Sequence, residues 1–204
     1  MTWVYTGILC ISALLFAVVG TLSVRSMMGA LVAQRDPNAR DNHTVPTPKG
    51  GGLALMLSAT GFLFVAGLDM HVIWGLVALI TVSFWDDVKG LSPLTRLIVH
   101  IAAACLMVFA FDAPVLHGLV PPMFEFPVLV LMLVWFMNLT NFMDGIDELT
   151  CVQTVMMAAG MIGVTLIVPD VRNALAYDSA IVMSAVVGFW YFNRHPATIF
   201  MGDS

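Results

Sequence analysis

Four long runs of the chain carry no charged residue, and these runs limit the fold more than any other feature. They cover residues 3–24, 51–68, 126–143 and 149–169. Each is close to the roughly 20 residues that a helix needs to cross a bilayer. Only helices and closed barrels satisfy their backbone polar groups in lipid, and continuous apolar runs indicate helices. We therefore predict an all-α, polytopic transmembrane helix bundle that forms a single membrane domain over residues 1–204.

The composition supports a membrane protein, because 60% of the residues are hydrophobic and only 10% are charged. A soluble domain carries about 25% charged residues. The net charge of −5 gives no reason to expect nucleic acid. The cysteines lie in or beside apolar runs without metal-ligand spacing, which favours buried thiols over disulfides. They are Cys10, Cys105 and Cys151.

About seven spans are predicted, and the charges between them give an orientation. The spans cover roughly residues 3–24, 51–68, 70–85, 94–111, 126–142, 149–169 and 179–193. Seven of the eight Lys and Arg residues then fall on one side, which the positive-inside rule makes cytoplasmic, so the N-terminus is predicted outside. No basic residue precedes the first run and no small-residue cleavage site follows it, so we expect a retained span.

Acidic residues gather at the predicted cytoplasmic ends of three spans. Asp86 and Asp87 are adjacent, Asp144 and Asp147 form a DxxD pair, and Asp203 stands alone. Any one of them could simply cap a helix or solvate an interface. Together they would repel one another unless partly protonated, and a divalent cation such as Mg²⁺ removes that conflict. The three edges together favour a metal site.

Further polar residues lie near the same predicted edge. The segment HTVPTPKGGG, with His43, Lys49 and Gly50, combines stiff prolines, approachable glycine N–H groups and a cation before a helix. This pattern favours an anion site, although a tight turn that permits helix packing is an equal alternative. Arg96 lies about one turn into a span, where it either pairs or snorkels. Asn138 and Asn141 could coordinate metal or cap a helix, and mid-span His100 favours a helix-to-helix hydrogen bond.

Four motifs, read in order, resemble the polyprenyl-phosphate N-acetylhexosamine-1-phosphate transferases of glycosyltransferase family 4. They are HTVPTPKGGG, DDVKGLSP, NFMDGID and FMGD, and the resemblance runs from about Asp36 to the last residue. The short first loop is similar to the O-antigen-initiating branch rather than the phospho-MurNAc-pentapeptide translocase. The resemblance implies transfer of a sugar-1-phosphate from a UDP-N-acetyl-sugar to undecaprenyl phosphate, with release of UMP. It implies a multi-pass protein of the bacterial inner membrane that begins lipopolysaccharide or cell-wall polysaccharide synthesis.

The resemblance also implies roles for individual residues. Asp86 and Asp87 match the paired acids near the lipid phosphate, one of them a candidate base, and Asp144 and Asp147 match acids of the catalytic site. Asn141 and Asp203 match positions associated with Mg²⁺, with Mn²⁺ as the alternative ion. The implied substrate-binding residues are His43, Lys49, Gly50, Arg96 and Asn138.

Two departures from the family pattern qualify these expectations. Glu148 stands where the third motif, usually DGIDGL, has its second glycine. The chain also ends within the fourth motif, so we expect a C-terminally truncated piece of a longer fold whose own activity is open. A multi-span transporter and an intramembrane aspartyl protease using Asp178 and Asp203 are the rival interpretations. The oligomeric state is open, with a homodimer as one option.

Overall fold

The structure is a computed structural model that describes residues 2–31, 48–144, 146–168 and 173–202. Within these residues it contains seven α-helices and no strand, which confirms the predicted all-α class. The helices are α1 (Trp3–Leu31), α2 (Gly51–Ala66), α3 (Met70–Lys89), α4 (Pro93–Phe109), α5 (Pro122–Met143), α6 (Leu149–Ile167) and α7 (Asn173–Asn193). His43 and Asp203, two of the predicted site residues, lie outside the described residues.

Five of these helices are long and apolar enough to cross a membrane, namely α1, α3, α5, α6 and α7. The other two, α2 and α4, have 16 and 17 residues. At 1.5 Å per residue they reach about 25 Å, somewhat short of the roughly 30 Å hydrocarbon core. Large apolar side chains face outwards on α5, including Leu131, Trp135 and Phe142. A water-exposed helix would not present them in such number, so the bundle is a polytopic membrane protein.

Local capping sets where several helices begin and end. The Asp69 side chain accepts a hydrogen bond from the His71 N–H (2.7 Å) at the start of α3. Ser92 accepts one from the Thr95 N–H (3.1 Å) at the start of α4, where Pro93 takes the first helical position that proline favours. These caps satisfy N–H groups that have no partner within their own helix.

Helix α7 is the centre of the better-packed half of the bundle. It packs against α1, α2 and α6, and its Ile181 and Phe189 are completely buried. Gly188 allows the close approach to α1, because a Cβ there would lie 2.7 Å from the Leu14 carbonyl oxygen. The Ser58 hydroxyl donates to the Ala13 carbonyl (2.7 Å) and so joins α2 to α1. Small residues commonly allow membrane helices to approach in this way.

The second half of the bundle consists of α3, α4 and α5. Helix α3 packs against α2 and α4, and α4 packs against α5, whereas α5 barely contacts α6. The small core of this half is formed by Ala104, Val108, Val130 and Val134. The poor contact between α5 and α6 leaves open space between the two halves.

Four helix limits differ clearly from the sequence prediction, and α1 differs most, because it continues to Leu31 where the predicted span ends at residue 24. Helix α3 continues to Lys89, so Asp86 and Asp87 lie in its last turn and not beyond it. Helix α5 begins at Pro122, four residues before the predicted span, which places Pro127 inside the helix. Helix α7 begins at Asn173, because the Ala-rich stretch that follows favours helix despite its polar residues. Asp178, which the predicted span of residues 179–193 leaves just outside, therefore lies inside α7.

Candidate functional site

Most of the predicted site residues lie at one end of the bundle, which we call the acidic edge. Here α3, α5 and α7 end, and α2, α4 and α6 begin. The end where α3, α5 and α7 begin is called the opposite edge. Because consecutive helices alternate in direction, motifs far apart in the sequence return to the same edge.

Asp86 is fixed in the last turn of α3 by two partners, one from the turn that leads into α4 and one from the first turn of α4. One carboxylate oxygen accepts the Leu91 N–H (2.5 Å), and the other accepts Arg96 Nη1 (2.9 Å). The Asp86 side chain is only 5% exposed and that of Arg96 is 33% exposed. A buried carboxylate requires this kind of pairing. Arg96 therefore pairs with Asp86, one of the two outcomes expected from its position in the sequence.

The first and fourth motifs are joined through their backbones. The Phe200 N–H donates to the Pro48 carbonyl (2.9 Å), and the Gly51 N–H donates to the Phe200 carbonyl (2.9 Å). The Gly52 N–H in turn donates to the Met201 carbonyl (2.8 Å). The N-terminus of α2 is therefore held against the segment that follows α7, about 150 residues away in the chain.

Two glycines are required by this arrangement. Gly50 has φ 95°, a left-handed conformation that glycine adopts at little cost. A Cβ on Gly51 would lie 2.5 Å from the Phe189 ring and 3.1 Å from the Phe200 carbonyl oxygen. Lys49 immediately precedes both, so a cation stands beside the N–H groups at the start of α2. The first N–H groups of α2 already donate to backbone carbonyls, so an anion here would be bound by Lys49 and the positive end of the helix dipole rather than by these N–H groups.

Asp87 lies directly against Gly202 of the fourth motif. A Cβ on Gly202 would be 2.5 Å from Asp87 Oδ2 and 2.8 Å from Oδ1. Gly202 also has φ 85°, so both its backbone conformation and its surroundings favour glycine. The second and fourth motifs thus meet at the residue that precedes Asp203.

A cavity of about 330 Å³ reaches the acidic edge between the two halves of the bundle. Its polar end is lined by Asn141 and Asp144 of the third motif and by Gly202 of the fourth. The rest of its wall is largely apolar, formed by residues such as Leu55, Met56, Leu79, Ile80, Phe136, Val182 and Val186. This division of polar and apolar lining suits an amphiphile whose polar group lies at the acidic edge.

Asp144 and Asp147 lie close in sequence but have different surroundings. Asp144 lines the cavity and accepts a hydrogen bond from the Thr150 hydroxyl (2.6 Å). Asp147 does not line it, and its carboxylate contacts the loop after α7, through His195 Nδ1 (3.0 Å) and the Ala197 N–H (3.3 Å). The structure therefore connects Asp147 to the loop that leads to the fourth motif.

Glu148 has a role that the sequence did not indicate. Its φ of 68° is the left-handed conformation that the family's usual glycine adopts easily. Its carboxylate accepts the His195 N–H (2.9 Å) and Trp190 Nε1–H (2.9 Å), and its own N–H donates to Asn193 Oδ1 (3.1 Å). The hydrogen bond from the His195 backbone, followed by that from Trp190, lowers the pKa of Glu148 below 4.5. These bonds join the start of α6 to the end of α7.

Most of the predicted site residues that the structure describes lie at the acidic edge. The described ones at the acidic edge are Lys49, Gly50, Asp86, Asp87, Arg96, Asn138, Asn141, Asp144 and Asp147. Sequence reasoning missed Glu148, Trp190, Asn193 and His195 as a connected group. The unusual Glu148 was the one signal available. Within the part of the chain that is described, no group of three His, Cys, Asp or Glu side chains could hold a metal ion.

Comparison with known proteins gives consistent results. The family model "Glycosyl transferase family 4" matches residues 70–204. The decaprenyl-phosphate N-acetylglucosaminephosphotransferase of Mycobacterium tuberculosis is 30% identical over 95% of this chain and 55% of its own length.

Two further relatives carry related names. The probable undecaprenyl-phosphate N-acetylglucosaminyl 1-phosphate transferase of Bacillus subtilis is 26% identical over 95% of this chain and 57% of its own length. The phospho-N-acetylmuramoyl-pentapeptide-transferase of Desulfotalea psychrophila is 30% identical over 93% of this chain and 64% of its own length. The chain spans about half the length of the first of these relatives. The family match, which covers more than half of the chain, shows that it belongs to glycosyltransferase family 4.

Proposed function

We propose that the acidic edge carries the phosphate-transfer site of a polyprenyl-phosphate N-acetylhexosamine-1-phosphate transferase at the cytoplasmic face of the bacterial inner membrane. The observation that carries this proposal is the contact of Asp87 with Gly202 beside an apolar cavity. It combines an acid at headgroup depth with space for part of a lipid chain. Family membership favours this function over a transporter or an aspartyl protease.

The reaction is written here as a single displacement. An oxygen of the polyprenyl phosphate attacks the sugar-bearing phosphorus of the UDP-sugar and forms a new P–O bond. The bond from that phosphorus to the bridging oxygen breaks, and UMP leaves with the electron pair. The second pKa of a phosphomonoester is about 6, so a fraction of the lipid phosphate carries a proton near neutral pH. Asp87 is the proposed acceptor of that proton.

We propose that oxygen donors near Gly202 hold Mg²⁺, with Mn²⁺ as the alternative. Mg²⁺ is commonly held by one or two carboxylates together with substrate phosphates. Asp87 lies against Gly202, and Asn141 lines the same cavity as Gly202, while Asp203 is the next residue in the chain. When bound, the ion would neutralise charge on the diphosphate.

The remaining residues supply binding. Lys49 is proposed to bind the nucleotide diphosphate, since it carries a positive charge at the N-terminus of α2, where the helix dipole also favours anions. Arg96 positions Asp86 through their ion pair. Asp144 is held towards the cavity by Thr150. Asp147 is proposed to position the fourth motif, because its carboxylate accepts a hydrogen bond from the Ala197 N–H in the loop after α7.

The sugar is proposed to be N-acetylglucosamine, and the product to initiate lipopolysaccharide or a related envelope polysaccharide. This proposal is supported by the names of the Mycobacterium tuberculosis and Bacillus subtilis relatives. The muramoyl-pentapeptide transferases among the relatives make UDP-MurNAc-pentapeptide the competing donor.

The test follows Mg²⁺-dependent UMP release from a panel of UDP-N-acetyl-sugars, in membranes with and without undecaprenyl phosphate. We expect release from UDP-N-acetylglucosamine only when the lipid phosphate and the metal are both present. Asp87→Asn should abolish it, and Asp69→Asn at the opposite edge should not. Lipid-independent release, or full activity in Asp87→Asn, would contradict the proposal.

Because the chain spans only about half the length of its relatives, the experiment needs a second, longer protein. A chimera that appends the C-terminal part of the Bacillus subtilis relative tests whether residues beyond 204 are needed for turnover. Release from the chimera alone would support the site described here as part of a larger catalytic centre. With both proteins folded and no donor turned over by either, the proposed activity would be wrong.

A further inference from the structure

His100 in α4 lies where an imidazole needs a partner and has none among the described residues. It lies seven residues after Pro93, about 10 Å along the helix axis. Its Nδ1 is buried without a hydrogen bond from or to any described group. The sequence favoured a helix-to-helix hydrogen bond for this side chain, and the structure shows no such bond. Buried polar atoms are nearly always paired, so an orphan at a functional edge calls for an explanation.

The residues around His100 offer an explanation for its unpaired nitrogen. It lines a small cleft of about 90 Å³ between α3, α4 and α5, whose polar residues are Ser83, Arg96, His100, Asn138 and Asn141. A single water needs roughly 10–15 Å³ of such volume, so the cleft has room for a larger polar group. Its lining contains a guanidinium, two amides, a hydroxyl and an imidazole, and no carboxylate. All five side chains can donate hydrogen bonds.

The cleft also adjoins the larger cavity of about 330 Å³. Ser83, His100 and Asn141 line both spaces. A ligand that extends its apolar part into the larger cavity could therefore place an anionic group in the cleft.

The charge balance explains why an imidazole would matter here. The guanidinium of Arg96 is paired with Asp86 at 2.9 Å, so that pair contributes no net charge. An anion in the cleft would then be held by oriented donors more than by net positive charge. Hydrogen bonds to charged groups are stronger than neutral ones. Each donor, including His100, should therefore contribute measurably.

We propose that the cleft formed by Ser83, Arg96, His100, Asn138 and Asn141 binds a phosphate group and that His100 donates a hydrogen bond to it. This inference rests on the proposed transferase function, which supplies two phosphate sources: the polyprenyl monophosphate and the nucleotide diphosphate. A ring nitrogen of His100 donates to a phosphate oxygen, and no bond to phosphorus forms or breaks in this contact. His100 is thus a substrate-positioning residue that the family motifs do not include.

The experiment measures binding separately from turnover. The full chain in nanodiscs is titrated with undecaprenyl phosphate, with the uncharged alcohol undecaprenol, and with UDP-N-acetylglucosamine. His100→Leu removes the donor, and His100→Gln keeps a side-chain N–H. His71→Leu removes an imidazole that is 58% exposed at the opposite edge and serves as the matched control. Thermal unfolding of each variant checks folding.

We expect His100→Leu to lower the affinity for one of the phosphorylated ligands by about tenfold or more, because the variant loses a hydrogen bond to a charged group. Binding of undecaprenol should not change, His100→Gln should recover most of the affinity, and His71→Leu should match wild type. A loss confined to undecaprenyl phosphate assigns the cleft to the lipid phosphate. A loss confined to the UDP-sugar assigns it to the nucleotide diphosphate.

Unchanged affinity for both phosphorylated ligands in a folded His100→Leu protein would overturn the cleft proposal. UMP release on the same samples would then show whether the transferase function still stands. If wild type binds neither phosphorylated ligand, both proposals fail together. If His100→Leu lowers the affinities for undecaprenol and for undecaprenyl phosphate equally, His100 shapes the cavity without contacting phosphate. This result would also overturn the inference.

Discussion

The acids at the two ends of the bundle are used in different ways. At the opposite edge, Asp69 bonds to His71 two residues away, and Glu125 accepts the Val115 and Leu116 N–H groups of its own preceding loop. At the acidic edge, Asp147 and Glu148 both reach His195, 47 or more residues away in the chain. Acids at one end cap helices and fix loops, whereas those at the other join separate helices.

The comparison shows why position alone did not identify the site. Both ends carry carboxylates beside apolar helices, and both use them to satisfy backbone N–H groups. Among the residues that the structure describes, only those of the acidic edge combine long-range bonds, a buried ion pair and a cavity. The first two predictions below pair a change at the acidic edge with a matched change at the opposite edge, and the third varies the pH at the acidic edge alone.

The largest effect is expected for Arg96→Met, which leaves the buried Asp86 carboxylate without its guanidinium. Breaking one side of a buried ion pair costs about 3 kcal/mol of unfolding free energy or more. Asp69→Asn, which alters an exposed pair at the opposite edge, should leave the unfolding midpoint nearly unchanged. Denaturant titration in detergent measures both. The double variant Arg96→Met, Asp86→Asn should recover part of the loss, and no recovery would argue against the pairing as its cause.

The next effect is on activity. If nothing moved, the methyl group of Gly202→Ala would lie 2.5 Å from Asp87 Oδ2, which is too close, so the carboxylate must move. A displacement of about 1 Å at a reacting group can lower the rate roughly 100-fold. The measurement is Mg²⁺-dependent UMP release.

Gly67→Ala is the matched control for that variant. Gly67 has φ 90° at the opposite edge, and a Cβ there would contact nothing within 4 Å. Both variants carry similar backbone strain, so only the steric contact differs. Equal loss of activity in the two proteins would mean that backbone strain, and not Asp87, is responsible.

The smallest effect concerns pH and Glu148. Bonds from the His195 N–H and then Trp190 lower the pKa of Glu148 from its usual 4.5. A carboxyl group with a lowered pKa stabilises the fold fully above its unfolded pKa, and this contribution is lost as the pH falls through the folded value. The difference in unfolding midpoint between wild type and Glu148→Gln should therefore be present at about pH 7 and shrink below 4.5. A difference that stays constant with pH would show that the charge of Glu148 is not involved.

Much of the fold could be predicted from the sequence because apolar runs determine membrane helices almost directly. The prediction failed where polar residues belong to a helix: Asp178 interrupts the apolar pattern of α7 without ending the helix. The meeting of the motifs at one edge followed from alternating helix directions. The pairing of Glu148 with Trp190, 42 residues apart, follows from tertiary packing, for which no local pattern exists. The left-handed conformation of Glu148 was not predicted, because the sequence showed only that a glutamate replaces the family's glycine.

The most direct test of the central claim measures whether the first and fourth motifs meet at the acidic edge. Cysteines replace Lys49 and Phe200, with Cys10, Cys105 and Cys151 changed to Ala, and a short bifunctional thiol reagent is added to native membranes. Backbone bonds of 2.9 Å join Phe200 to Pro48 and Gly51, so we expect an efficient 49–200 crosslink. The control pair, Lys49→Cys with Asp112→Cys at the opposite edge, should give none. A 49–112 crosslink, or no 49–200 crosslink when both thiols react singly, would contradict the arrangement on which the proposed function depends.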